Sequence, residues 1–152
     1  MTVQTLEILP ALYELDETAW LDLMADLARE GRVDELDLAH LAEYLSDMAR
    51  RDRREVGSRL VVLLMHLLKW QYQPDQRSRS WRGTIVEQRH ELCDAVGKGV
   101  LLNHARDVLA EVYRRAVERT ITETDLPASV FPIECPFSLD QLLNTDLTAE
   151  VE

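Results

Sequence analysis

The run of residues 59–82 is the feature that most constrains what this chain can fold into. Its first half, residues 60–68, is apolar at nearly every position: the leucines share one helical face, and Val61, Val62 and Met65 extend that face around the axis. A helix that is apolar on most sides must be covered by neighbours on most sides. Pro74 ends this helix, because its ring cannot continue the hydrogen-bond ladder. The run therefore predicts the central helix of an all-α bundle.

Capping residues and helical spacing predict four further helices around it. They cover residues 16–31, from an Asp16 cap to Gly31, residues 37–51, residues 80–97, with Ser80 as the cap, and residues 100–124. In the second, Leu38, Leu41, Ala42, Leu45, Met48 and Ala49 form one predicted stripe. The central helix begins near Asp52, where Asp52 and Glu55 resemble a capping box, although one continuous bent helix is the alternative. No segment alternates with period two over strand length.

The length of 152 residues fits one domain with its own core. We expect an extended N-terminal arm over residues 1–15, interrupted by Pro10, and a helical domain over residues 16–146. Three prolines after residue 124 predict an irregular C-terminal segment, in which Ser138 caps a short turn through Leu143. Residues 147–152 are expected to be a disordered acidic tail.

The net charge of −11 argues against a surface that binds nucleic acid as a whole. The charge is uneven, however, because residues 50–82 hold nine Arg or Lys against three Asp or Glu. Acidic flanks folding against this basic stretch would neutralise it, and we favour that interpretation. The alternative is that part of the stretch stays exposed for an anionic partner.

Two cysteines, Cys93 and Cys135, do not make a disulfide framework. The N-terminus lacks the basic region and continuous apolar run of a signal peptide. The apolar run at residues 60–68 is too short to span a bilayer. These features predict a cytoplasmic protein with no membrane partner.

The most chemically distinctive region is residues 69–89, where aromatic rings lie beside cationic side chains. Such pairs can stack on flat ligands, and Arg forks bind carboxylate or phosphate. The alternative is structural: Trp70 and Trp81 fasten the third helix to the fourth, while the arginines pair with acidic residues of the first and second helices. With His66 included, which we expect to be well buried, the candidate binding residues are His66, Lys69, Trp70, Arg77, Arg79, Trp81, Arg82 and Arg89.

No catalytic residue, cofactor or metal is predicted. Only one Glu-x-x-His, Glu87 to His90, is present, and a di-metal bundle needs two. His66, among leucines, is expected to be neutral and bonded to a polar group of another helix. Cys93 falls on a core face, whereas Cys135 precedes a proline and could be more exposed.

Several strings together resemble the bacterial family known as domain of unknown function number 29, over about residues 13–146. One departure is Ala49, where that family suggests a glycine, which bears on the predicted break near Arg51. The resemblance implies an all-helical domain and no activity. Its strings are Asp34-Glu35-Leu36-Asp37, His66-Leu67-Leu68-Lys69-Trp70-Gln71-Tyr72-Gln73-Pro74, Ser80-Trp81-Arg82 with Ile85, Gln88 and Arg89, Phe131-Pro132, Cys135-Pro136-Phe137-Ser138-Leu139, and Leu142-Leu143.

The sequence leaves three functional hypotheses. The favoured one is a non-catalytic protein-interaction module that binds a protein partner or a second copy of itself. The second is an anion or nucleic-acid binder using the region 69–89, with binding that weakens steeply in salt. The third is a metal-binding or enzymatic helical bundle.

Overall fold

The computed structural model describes residues 3–97 and 99–149. The predicted all-α class is confirmed: the described residues form six α-helices and three short 3-10 turns, without a strand. The helices are α1 (Val3–Leu15), α2 (Glu17–Arg29), α3 (Leu38–Tyr72), α4 (Arg79–Val96), α5 (Val100–Thr124) and α6 (Leu139–Asn144). The 3-10 turns are Val33–Glu35, Pro74–Gln76 and Ala128–Val130. None of the described helices is long and apolar enough to cross a membrane.

The contacts divide the chain into two units, Met1–Arg50 and Arg51–Glu152. The domain boundaries that the sequence predicts, after residues 15 and 146, stay a prediction. In the first unit, α1 and α2 pack against each other around Leu9, Trp20, Met24 and Leu27, all at most 3% exposed. Leu41 and Tyr44 of α3 pack against the same cluster.

The predicted extended arm is wrong for the residues that the structure describes, because Val3–Leu15 is helical with Pro10 inside it. Leu9 on one side of the proline is buried, and Leu12 and Tyr13 on the other side pack onto the cluster of the first unit. This burial on α2 outweighs the hydrogen bond that a proline removes from a helix.

The predicted break near Arg51 is also wrong, and the alternative of one continuous helix holds, since α3 runs without interruption through residues 49–55. Arg and Glu are good helix formers. Their pairs one turn apart add support: Arg50 Nη1 lies 3.2 Å from Asp47 Oδ1, and Arg59 Nε lies 3.0 Å from Glu55 Oε1.

The second unit is built around the C-terminal half of α3, as predicted. Leu60, Leu63, Leu64 and Leu68 are at most 1% exposed and pack with residues of α4, α5 and α6. The irregular C-terminal segment contributes to this core, since Phe131, Leu139 and Leu142 are buried. Tyr113 Oη of α5 donates a 2.7 Å hydrogen bond to the Pro132 carbonyl, which holds the segment in place.

Several predicted helix ends are confirmed by their hydrogen bonds. Asp16 Oδ1 accepts from Ala19 N at 3.0 Å, and Ser138 forms a full capping box with Gln141.

Residues 147–149 do not show the predicted disorder, since Leu147 packs against the core and Thr148 is 5% exposed. Residues 150–152 of that predicted tail, and Lys98 of the predicted break between α4 and α5, lie outside the described residues.

Candidate functional site

Most of the sequence-predicted binding residues lie where α3 ends and α4 begins, in the second unit. The chain leaves α3 at Tyr72, turns through Pro74–Gln76, and enters α4 at Arg79. The cap of α4 is Ser78 and not the predicted Ser80, because Ser78 Oγ accepts from Trp81 N at 3.2 Å. Ser80 already lies inside the helix, where its carbonyl accepts from Thr84 Oγ1 at 3.1 Å.

Arg77 folds back onto Trp70. Its guanidinium carbon lies 4.9 Å from the centre of the indole ring, and its Nε donates a 2.7 Å hydrogen bond to the Trp70 carbonyl. A cation at this carbonyl satisfies one of the last acceptors of α3 and lies favourably at the negative end of the helix. Arg77 and Trp70 therefore fasten the connection between α3 and α4, the structural arrangement considered from the sequence.

Lys69 joins three helices of the second unit. Although charged, it is 9% exposed. Its ammonium group pairs with Glu123 of α5 and lies 5.6 Å from the centre of the Trp81 ring on α4. The pairing lowers the pKa of Glu123, mainly through the hydrogen bond from Lys69. Because a buried ammonium group is costly without a partner, this pair holds α5 in position.

His66 is only partly buried, and it makes a different contact from the one predicted. Its Nδ1 lies 2.8 Å from the Val62 carbonyl one turn earlier in α3, so the ring bonds its own helix and not another. A carbonyl accepts only, so this nitrogen carries the proton. Burial lowers the pKa of His66, and the nearby charges of Lys69 and Arg119 add to that effect.

The pKa of His66 predicts a pH dependence of stability. The unfolded chain takes up a proton near the ordinary value of 6.5, whereas the folded protein resists protonation. The contribution to stability is therefore fully present above that pH and is lost as the pH falls through the folded pKa. We expect urea unfolding to show lower stability at about pH 5.5 than at about pH 7.5.

His66→Gln should reduce this difference in stability between the two pH values, because the group that titrates is gone. His90→Gln is the matched control, since His90 is exposed on α4 and its removal should leave the difference unchanged. An undiminished pH difference in His66→Gln would contradict this assignment.

Arg82 and Arg89 of α4 reach towards the chain that follows α6. Arg82 Nη2 lies 4.0 Å from Asp146 Oδ2, and Arg89 Nη1 donates a 2.9 Å hydrogen bond to the Thr145 carbonyl. The predicted pairing of the arginines with acidic residues of the first two helices is therefore wrong for Arg82. The acidic partner of Arg82 follows α6 and is distant from it in sequence.

Arg79 and Arg82 line a shallow groove along α4 of about 580 Å³. Glu87 and Glu91 line the same groove and oppose an anion there. The eight candidate residues thus do not converge on one ligand position, and each except Arg79 has a structural contact within the described residues. Their role in binding stays a prediction.

Each cysteine thiol donates a hydrogen bond to a backbone carbonyl. Cys93 Sγ donates to the Leu143 carbonyl at 3.1 Å, and Cys135 Sγ donates to the Phe137 carbonyl at 3.3 Å. Burial raises the pKa of the Cys135 thiol, the opposite of what a nucleophile needs. Across residues 3–97 and 99–149, no three His, Cys, Asp or Glu side chains are grouped as metal ligands.

The sequence did not reveal an exposed apolar stripe on α3 in the first unit. Leu38 is 61% exposed and Leu45 is 59% exposed, and Ala42 and Ala49 between and after them are exposed as well. We call these four residues the α3 stripe. The predicted stripe is thus wrong as a core face for four of its six residues, and only Leu41 and Met48 are partly buried.

A polar cluster of the first unit sets the rotation of α3 that exposes this stripe. Asp37 Oδ2 accepts from Trp20 Nε1 at 3.1 Å and lies 2.8 Å from His40 Nδ1. Tyr13 of α1 stacks on the His40 ring, with the ring centres 4.4 Å apart. Asp37 and His40 therefore face α1 and α2, and Leu38, one residue or about 100° further round the helix, faces solvent.

The surroundings of the α3 stripe are acidic. Residues 1–50 hold twelve Asp or Glu and three Arg, a net charge of −9. The other large exposed apolar side chains of the described residues are Leu15, Val33, Val100 and Ile133, and none of them shares a helix face with another. The α3 stripe is therefore the exposed apolar feature with a regular spacing.

Comparison with known proteins identifies one family. A family model described as domain of unknown function DUF29 matches residues 12–148, in agreement with the resemblance found in the sequence. No curated protein and no solved structure matches the chain.

Proposed function

We propose that this chain, which belongs to the DUF29 family, acts as a helical protein-interaction module of the cytoplasm through the α3 stripe. The observation that carries the proposal is the exposure of Leu38 and Leu45 on one helix face, 61% and 59%, with Ala42 and Ala49 on the same face. Apolar residues at a spacing of four, three and four along a helix are the pattern by which helices pair.

The energetics support a contact at this face. Full burial of a leucine side chain contributes about 1.5–3 kcal/mol, and more than half of each of these two leucines stays in water. The isolated chain gains less than half of that contribution. A partner helix that covered the stripe would supply the rest without any change in the fold.

The anion-binding alternative has less support. Lys69 is paired with Glu123, Arg77 is held by Trp70, and the groove beside Arg79 is lined by two glutamates. These contacts favour a packing role for Lys69 and Arg77, and the glutamates oppose an anion beside Arg79. The favoured interaction surface is consequently in the first unit, outside the region that the sequence singled out.

The proposal is tested by native mass spectrometry of the untagged protein isolated from cells. We expect the normal chain to carry a bound protein that raises its mass above 17.5 kDa, and Leu38→Ser with Leu45→Ser to lose that protein. Because both leucines are exposed, each substitution should change the free energy of unfolding of the isolated chain by less than about 0.5 kcal/mol.

Ile133→Ser is the matched control. Ile133 is 96% exposed and lies in the C-terminal segment, so the variant removes an equally exposed aliphatic group far from the α3 stripe in sequence. It should keep the bound protein. Loss of the bound protein in this control, or its retention in the double variant, would overturn the assignment of the surface.

A further inference from the structure

We infer that the partner covering the α3 stripe is a second copy of this chain, with the two α3 helices antiparallel about a two-fold axis. This inference rests on the proposed function and adds the identity and orientation of the partner. Three features of the first unit and the helix that leaves it carry the inference: the size pattern of the stripe, the charges at its two ends, and its short length.

The stripe alternates large and small residues in an order that fits its own inverted copy. With the two-fold axis between Glu43 and Tyr44, Leu38 lies opposite Ala49 of the other copy, and Ala42 lies opposite Leu45. Each leucine then fills the space left by an alanine, and the helix axes can approach towards the ~8 Å end of the usual range. A parallel arrangement would set leucine against leucine and leave voids at the alanines.

The charges at the two ends of the stripe are opposite. Before the stripe, residues 30–37 hold four acidic residues and one Arg; after it, residues 50–54 of the same helix hold four Arg and one Asp. An antiparallel pair therefore brings a segment of charge −3 beside one of charge +3 at both ends. In a parallel pair, like charges would meet.

The short length of the stripe predicts weak association. Residues 38–49 span three helical turns, about 17 Å. The area that four side chains over this length can bury falls short of the ~800 Å² per partner typical of stable complexes. The charge of −9 on residues 1–50 opposes pairing, although charges more than about 8 Å apart are largely screened at physiological salt. We therefore expect dimers that form with increasing protein concentration.

Sedimentation of the purified full-length chain at about 0.15 M salt tests the inference. The mass should rise from 17.5 kDa towards twice that value as the concentration increases. Leu45→Glu puts two carboxylates near the axis and should weaken the dimer at least tenfold, about 1.4 kcal/mol. Ile133→Ser should associate like the normal chain.

Cysteine cross-linking tests the antiparallel register. In this arrangement Ala42→Cys and Leu45→Cys proteins, mixed under mild oxidation, form a disulfide with each other faster than either forms one with itself. Peptide mapping separates this link from any made by Cys93 or Cys135. A parallel pair would instead link each variant to its own copy, and that result would overturn the proposed orientation.

The two proposals fail in different ways. A purified chain that stays monomeric at every concentration overturns self-pairing. The proposed interaction module still holds if the normal chain binds a different protein in cells and the Leu38→Ser with Leu45→Ser variant does not. A dimer that Leu45→Glu leaves intact means that the copies meet elsewhere, which overturns the inference about this surface.

Discussion

Replacing Leu64 by alanine is expected to lower the free energy of unfolding by about 3–5 kcal/mol. Leu64 is 0% exposed at the centre of the second unit, where residues from α3, α4, α5 and α6 meet. The substitution removes apolar contacts and leaves a cavity that the close-packed surroundings cannot fill by relaxation. Urea unfolding followed by circular dichroism measures the change.

Leu45→Ala is the control for this prediction, because the same chemical change is made on the same helix at a residue that is 59% exposed. Its cost should stay within about 0.5 kcal/mol at a concentration where the chain is monomeric. Similar losses for the two variants would contradict the division of α3 into a buried half and an exposed stripe.

Replacing Trp20 by alanine is expected to destabilise the first unit by about 3–5 kcal/mol. Trp20 is 0% exposed, and it packs with Tyr13 edge to face at a centre-to-centre distance of 4.8 Å. The variant also removes the hydrogen bond from Trp20 Nε1 to Asp37, which helps to fix the rotation of α3. Amide hydrogen exchange across α1 and α2 should accelerate markedly.

Trp20→Phe separates the two contributions of this residue. It keeps most of the buried ring and loses the indole donor, so we expect a smaller cost of about 1–3 kcal/mol. Leu15→Ala, at a residue that is 84% exposed, is the matched control and should leave the exchange unchanged. Unchanged exchange in Trp20→Ala would mean that Trp20 is not the centre of this unit.

Local sequence signals predicted helix ends correctly where the capping residue acts within one helical turn. Asp16, Gly31 and Ser138 mark helix ends because a cap needs only a side-chain oxygen near free amides, or a backbone that accepts a positive φ. The wrong predictions arise where tertiary packing overrides the local sequence signal. From the sequence alone, Pro10 predicts an interruption of the helix, but the burial of Leu9 stabilises the helix around it. The charged run after Arg50 likewise predicts a break, but side-chain pairs along α3 stabilise a continuous helix.

The surface proposed for interaction could not be predicted from spacing alone. An apolar stripe at helical intervals has the same appearance whether its own chain or another chain covers it. The distinction depends on Asp37 and His40, whose contacts with Trp20 and Tyr13 turn the other side of α3 inward. Those contacts join residues up to 27 positions apart, and nothing in the local pattern indicates them.

The central claim is that the α3 stripe contacts a protein, and photo-cross-linking inside cells tests it most directly. A photoreactive amino acid at Ala42, between Leu38 and Leu45, should form a defined protein adduct, which Leu45→Glu should abolish. The same group at Ala110, which is exposed on α5, is the control and should form none. No adduct from Ala42, or the same adduct from both positions, would contradict the claim.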